Sequence, residues 1–292
     1  MTKQVTVNLF DIVHSDKTQS LTQTLETYAS LPLDQRWRSD LRLDIVKNDP
    51  ESQRLLETTV YCMSFAKGRP IGPGRLSRDT PVRDVDLGPS ENFGEETAAL
   101  YISNKKWFLV LHNQYGIGSK RMAEYFNALD PGNSLFDYAL FPRIDQAILN
   151  KLSSMKNFVE IEVRANVGAF GETEDAIGES VAAAANQSRA MRLEIRLMAN
   201  TPHKKTNYLE HNKVIKFIQS LLNKSSAGVD KLKVHCDDER LDKADRILDL
   251  IEQKINLQFS TSELQLLNHR HTFDSKIALL RRAALHWNNT LN

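Results

Sequence analysis

The stretch AKGRPIGPGRLSRDT, residues 66–80, carries Lys67, Arg69, Arg75 and Arg78 among closely spaced glycines and prolines. Extended to residue 83, it holds five cations, Arg83 included, against one acid, Asp79. Gly68, Gly72 and Gly74 let the backbone come close to a ligand, and Pro70 and Pro73 hold it extended. A flexible basic loop between strands can follow a phosphate backbone, each neutralised phosphate steepening the salt dependence. The plain alternative is a solvated hairpin tip. Asp84, Asp86, Glu91, Glu95 and Glu96 come next, as acidic as the loop is basic, and the two runs can neutralise each other.

A second anion-friendly pattern is GIGSKR, residues 116–121. A glycine pair leads into a helix start bearing Ser119, Lys120 and Arg121, where free N–H groups and two cations would meet an anion. Ser119 is the expected N-cap. The spacing is not that of a P-loop. It is similar to the Gly-hydrophobic-Gly turn of helix-hairpin-helix DNA modules, but KKWFLVLHNQ before it reads as a strand, and an ordinary strand-to-helix turn explains it too.

Catalytic patterns are sparse. VHCDDE places His235 and Asp237 on one strand face, and Glu252-x-Lys254 follows an apolar run. Asp237, Glu252 and Lys254 on neighbouring strands could hold a divalent ion and orient a water for phosphodiester cleavage. Glu252 reads equally well as a helix surface residue. His269-Arg270-His271 lacks a carboxylate or cysteine at ligand spacing. With no Gly-x-Ser-x-Gly, kinase set or zinc cluster, no cofactor and no resident metal are expected. On the last helix, Arg281, Arg282 and His286 lie away from the Phe273–Trp287 stripe. They form a basic side or pair with the acids around 237–245.

The elements that must position these residues mix irregularly. VTVNL alternates as a half-buried strand, and a helix through Leu21, Leu25 and Tyr28 stops near Pro32. TTVYCMSF is a strand, and ETAALYISNKKWFLVLHN is a hairpin turning at Asn104-Lys105, with Trp107–Leu111 apolar enough for a central strand. NFVEIEVR and MRLEIRLM are alternating strands whose outer charges would pair if they are neighbours. An acidic-started helix (Glu172, Glu174, Asp175) lies between them. A helix opened by a capping box at Asn207 and Glu210 buries Val214, Ile218, Leu221 and Leu222. KLKVHC and KINLQFS are further strands, and the chain closes on a helix. This order predicts an α+β fold, a mixed, largely antiparallel sheet with flanking helices and possibly two lobes. The TPHKK stretch near residue 202 is the best internal boundary, giving a β-rich part, 1–200, with the basic loop 66–83, and an α/β part, 201–292, unless the whole is one domain.

Thirty-eight lysines and arginines stand against 37 acids in 292 residues, so any nucleic-acid function needs a local patch. Cys62 and Cys236 show no metal-like spacing and suit a reducing cytoplasm. The N-terminus alternates, and no apolar run approaches the ~20 residues of a membrane helix.

Across most of the chain the order of elements resembles a group of bacterial phage-exclusion and defence proteins, those like the lambda Rex exclusion protein A and the Kiwa B subunit. The likeness is carried by WFLVLHNQYGIGSKRMAEYFNAL, FPRID, VEIEVRA, LEIRLMA, LKVHC and FDSKIALLRRAALHW. It implies a cytoplasmic, dimeric protein that binds double-stranded DNA with little sequence preference, with or without a partner protein of the same defence operon, and it transfers no site residue. The expectation is therefore a non-enzymatic DNA-binding protein. The alternatives are a metal-dependent nuclease effector and a protein–protein adaptor whose basic loop docks an acidic partner.

Overall fold

The computed structural model describes residues 3–14, 19–69, 71–72, 85–88, 91–113, 115–129, 138–166, 179–181, 183–184, 187, 192–199, 207–224, 229–242, 246–250 and 255–291. The fold is α+β, with antiparallel sheets flanked by helices. Two compact units share the chain: Met1–Asn8, Ile12–Ala139 and Asn256–Asn292 form one, and Leu9–Asp11 with Leu140–Ile255 the other. The chain passes between them at residues 9, 12, 140 and 256.

The first unit is built on β1 (Gln4–His14), β2 (Trp37–Arg38), β3 (Leu41–Asn48), β4 (Val60–Arg69), β5 (Phe93–Ile102), β6 (Trp107–Leu111) and β12 (Asn256–Ser260). Their order is β12-β1-β6-β5-β4-β3-β2, with β7 (Tyr138–Pro142) also paired to β1. All five residues of β6 are buried, which is why WFLVL runs apolar without alternating. The β5–β6 turn closes with Lys106 at φ 52°. Helix α1 (Leu21–Ser30) starts on a capping box of Ser20 and Gln23 and ends at Leu31, whose extended backbone suits the proline that follows. With α3 (Ser119–Asn127) it supplies an aromatic core. Tyr28 stacks on Tyr125 at 5.0 Å, and Phe65 and Phe108 meet Phe126 edge to face. Helix α2 (Pro50–Leu56) precedes β4. The last helix, α6 (Phe273–Thr290), is N-capped by Thr272 and buries Ile277, Leu280, Ala284 and Trp287.

The second unit holds β8 (Phe158–Asn166), β9 (Arg192–Met198), β10 (Val229–Cys236) and β11 (Ile247–Asp249) in the order β11-β10-β8-β9. Helices α4 (Gln146–Ser154) and α5 (His211–Lys224) supply Leu152, Val214, Phe217, Ile218 and Leu221 to a core with Ile161, Val163, Leu232 and Val234. Burying each such side chain contributes roughly 1.5–3 kcal/mol. Helix α5 begins at His211, so the expected capping box at Asn207 and Glu210 is corrected. Glu210 instead accepts the Val214 N–H on its carbonyl at 3.0 Å. Glu172, Glu174 and Asp175 lie outside the described residues. Among those described, no helix is long and apolar enough to cross a membrane.

Candidate functional site

The basic stretch begins inside a strand. Strand β4 runs to Arg69, and its register with β5 sets Lys67 opposite Glu95 and Gly68 opposite Gly94. Lys67 and Arg69 are thus held by sheet pairing and are not on a free loop, while Arg75 and Arg78 lie outside the described residues. Arg69 donates to Glu95 at 2.7 Å and sits 5.5 Å over the ring of the exposed Tyr115. Gly72 is a glycine for packing, since a Cβ there would strike the ring of Phe93.

The second pattern folds onto the first. The Arg121 guanidinium grips the Asp40 carboxylate with two nitrogens. The backbone carbonyl of Asp40 accepts the Gly68 N–H at 3.0 Å. Arg121 above all, with Lys67 adding its charge, holds the Asp40 carboxyl below its usual value. Asp40 therefore ties the end of β4 to the start of α3, 50 residues apart in sequence. The expected N-cap is corrected: Gly118 occupies that position without a side-chain bond, and Ser119 is the first helical residue. Gly116 is required inside the protein, because a Cβ there would lie 2.1 Å from the Thr97 hydroxyl. Lys120 is more than half exposed and reaches Glu124 only at 3.9 Å.

Tyr115 and Glu95 also line a cleft of about 860 Å³, with Lys3, His112, His269, Arg270, His271 and Lys276 around it. Glu96 is its pivot. It accepts from the Ser64 hydroxyl at 2.6 Å, from Lys276 Nζ at 2.5 Å and from Arg270 at 3.3 Å. Burial pushes the Glu96 carboxyl up, but Lys276, Ser64 and Arg270 together outweigh it and hold the group below its usual value. His271 Nδ1 is buried with no hydrogen-bond partner among the described residues. Two lysines and an arginine face two glutamates in the cleft, with three histidines beside them. Sequence reading named its HRH segment only as a weak metal motif. It missed Glu96 and Lys276 as a pair because 180 residues separate them. Their one sequence signal is that Glu96 follows an acid in a strand that otherwise turns apolar.

In the second unit the outer face of the sheet is charged. Arg196 donates twice to Glu160, at 2.6 and 2.8 Å, and Lys231 reaches Glu162 at 2.7 Å. The ligand atoms of Glu160, Glu162 and His235 lie within 4.8 Å of one another. That oxygen and nitrogen set suits zinc or manganese, in competition with the Arg196 and Lys231 already on the carboxylates. Of the three nuclease candidates only Asp237 falls among the described residues. Strand β10 ends at Cys236, so Asp237 does not share a strand face with His235. It lies beyond the strand, 3.3 Å from Arg246, and Glu252 and Lys254 lie outside the described residues. The basic side of α6 is paired, but not with the acids expected. Arg281 holds Asp49 and Glu51, and Arg282 holds Glu263. Burial pushes the Cys62 thiol up to about 12, which leaves it unreactive at neutral pH.

No curated protein matches the chain. The model of one family, DUF6731, described as a family of unknown function, matches residues 1–283, and the chain belongs to that family.

Proposed function

We propose that this chain is a non-enzymatic, weakly sequence-selective DNA-binding protein of a bacterial phage-defence system, acting in the cytoplasm as a homodimer. One observation carries the DNA reading. Two basic segments nominated separately, Lys67–Arg69 and Lys120–Arg121, share one surface around Asp40, with the stacking face of Tyr115 beside Arg69. Basic residues beside an exposed aromatic are the usual elements of a phosphate-tracking surface. Both guanidiniums have carboxylate partners, yet pairs as exposed as Arg121–Asp40 are worth only about 0–1 kcal/mol, so phosphates can replace those carboxylates at small cost. The setting in phage defence rests on the resemblance of element order to the exclusion proteins.

Fluorescence anisotropy of a labelled random duplex tests the reading. Binding that engages three phosphates should weaken about 40-fold between 50 and 200 mM salt. Reversing Arg69, Arg75 and Arg78 to glutamate should weaken it on every sequence, and Lys120→Glu should add to the loss. No binding at the lower salt rejects DNA as the ligand, and unchanged binding in the variants removes this surface. Intact DNA after long incubation with Mg²⁺ and Mn²⁺ is the expected control. Phage exclusion by cells carrying the wild-type chain, lost with the same variants, tests the defence setting.

A further inference from the structure

Strand β9, Arg-Leu-Glu-Ile-Arg-Leu-Met, is the end strand of the second unit's sheet among the described residues. Its ladder with β8 keeps one register from Glu160↔Met198 to Asn166↔Arg192. Just past the strand, the Ala199 N–H donates to the Val159 carbonyl at 3.0 Å, which fixes the parity of the ladder. Residues 193, 195 and 197 spend their backbone groups on β8, and residues 194, 196 and 198 turn theirs to the side that no strand covers among the described residues. The core is also thinner at this edge. Ile161, Val163 and Ala165 of β8 are fully buried, while Leu193, Ile195 and Leu197 of β9 are only half-buried.

We propose that β9 pairs antiparallel with β9 of a second copy about a two-fold axis at Ile195, joining two four-stranded sheets into one. Overlap and charge together select this register. Centred on Ile195, all seven residues overlap, Glu194 faces Arg196 of the second copy, and the symmetry makes that pair twice. The allowed registers on either side fail. Centring on residue 194 sets Glu194 against itself and Arg192 against Arg196, and centring on residue 196 sets Arg196 against itself. The parity agrees. Residues 194 and 196 have the outward N–H and C=O groups that a hydrogen-bonded pair exchanges, and Ile195 meets its copy at the closer, non-hydrogen-bonded position. On the inner face, Leu193 meets Leu197 and Ile195 meets Ile195, covering the side chains that the single copy leaves partly exposed. An edge strand is a hazard unless something limits its pairing, and a charge pattern that rejects the two nearest registers does so.

The inference takes up the homodimer of the reading above but stands on β9 alone, and it is measured without DNA. Sedimentation velocity of the full chain should give a dimer. Glu194→Pro removes one outward N–H and none that β8 uses, so dimer dissociation should strengthen at least about tenfold with the urea midpoint unchanged. Should the proline variant fold poorly, Glu194→Arg serves: Glu194 is exposed and its one ion pair among the described residues, Lys231 at 3.9 Å, is long. Ile195→Cys reads the register. Cα atoms about 4.5 Å apart at the axis permit a disulfide, so copper phenanthroline should link two copies through residue 195 and not through Leu193→Cys. The native Cys62 and Cys236 are buried and serve as background in the wild type. A wild type that stays monomeric, an Ile195→Cys protein that does not link, or a dimer that neither residue-194 variant weakens would each overturn the proposal.

Discussion

Glu96 of the first unit and Glu162 of the second are both partly buried strand carboxylates with a lysine on them, but their settings differ. Glu162 sits in a lattice. Lys231 reaches it at 2.7 Å from one flanking strand and Arg196 at 3.9 Å from the other, and Lys231 also lies 3.9 Å from Glu194. Glu96 sits at a convergence. Ser64, Arg270 and Lys276 reach it from 32, 174 and 180 residues away. A lattice spreads the loss of one member over its neighbours. A convergence rests on its best-buried partner, and at Glu96 that is Lys276, since Arg270 is largely exposed.

The largest test of that contrast is removal of the lysines. Lys276 and Glu96 are 12% and 15% exposed, so Lys276→Met should destabilise the protein by about 3 kcal/mol in urea unfolding, the cost of a buried carboxylate stripped of its main partner. Adding Glu96→Gln to that variant should recover most of the loss. Lys231→Met leaves Glu162 beside Arg196 and should cost about 1 kcal/mol. Equal costs would break the contrast.

Acid offers the next. Burial raises Glu96, but Lys276 and Ser64 outweigh it and the net value is depressed below 4.5. Glu162 is depressed chiefly by its bond to Lys231. Each group thus binds its proton less readily folded than unfolded. Its stabilisation is fully present above the ordinary 4.5 and is lost as the pH falls through the depressed value. Urea midpoints should therefore fall below that pH, and Glu96→Gln should flatten the decline more than Glu162→Gln. A smaller effect comes from the cap that seats Lys276. Thr272 accepts the Ser275 N–H at the start of α6, and Thr272→Ala should cost about 1 kcal/mol by the same measurement.

The contrast also explains which parts were legible in the sequence. Strand alternation writes a lattice into the chain: with Glu160, Glu162, Arg164 on one strand and Arg192, Glu194, Arg196 on the other, pairing β8 with β9 was enough to bring opposite charges together. The β5–β6 hairpin and the stripe of α6 were legible for the same reason, since their signals are local. A convergence has no local signal. Nothing near residue 96 names residue 276, and nothing near residue 40 names Arg121. The two basic segments were readable singly, but their union through Asp40 was not. Arg69 was read as loop because glycine and proline crowd it, yet β5 supplies ladder partners that extend β4 through Gly68. The Asn207 capping box failed because its spacing was matched without the backbone that follows, and the helix starts at His211.

The smallest expected change in stability carries the most functional weight. The Arg121–Asp40 pair is about 40% exposed on both sides, so Arg121→Ala should shift unfolding by no more than about 0.5 kcal/mol. If the Asp40 surface grips phosphate, the same substitution should weaken duplex binding severalfold and lower the magnitude of the salt slope by about 1. Arg240→Ala removes a more accessible guanidinium from the second unit, outside β9, and should leave both quantities alone. A loss confined to Arg121→Ala assigns DNA contact to the convergent surface. A loss confined to Arg240→Ala moves it to the second unit, and equal losses mean that the duplex responds to total charge and to neither surface in particular.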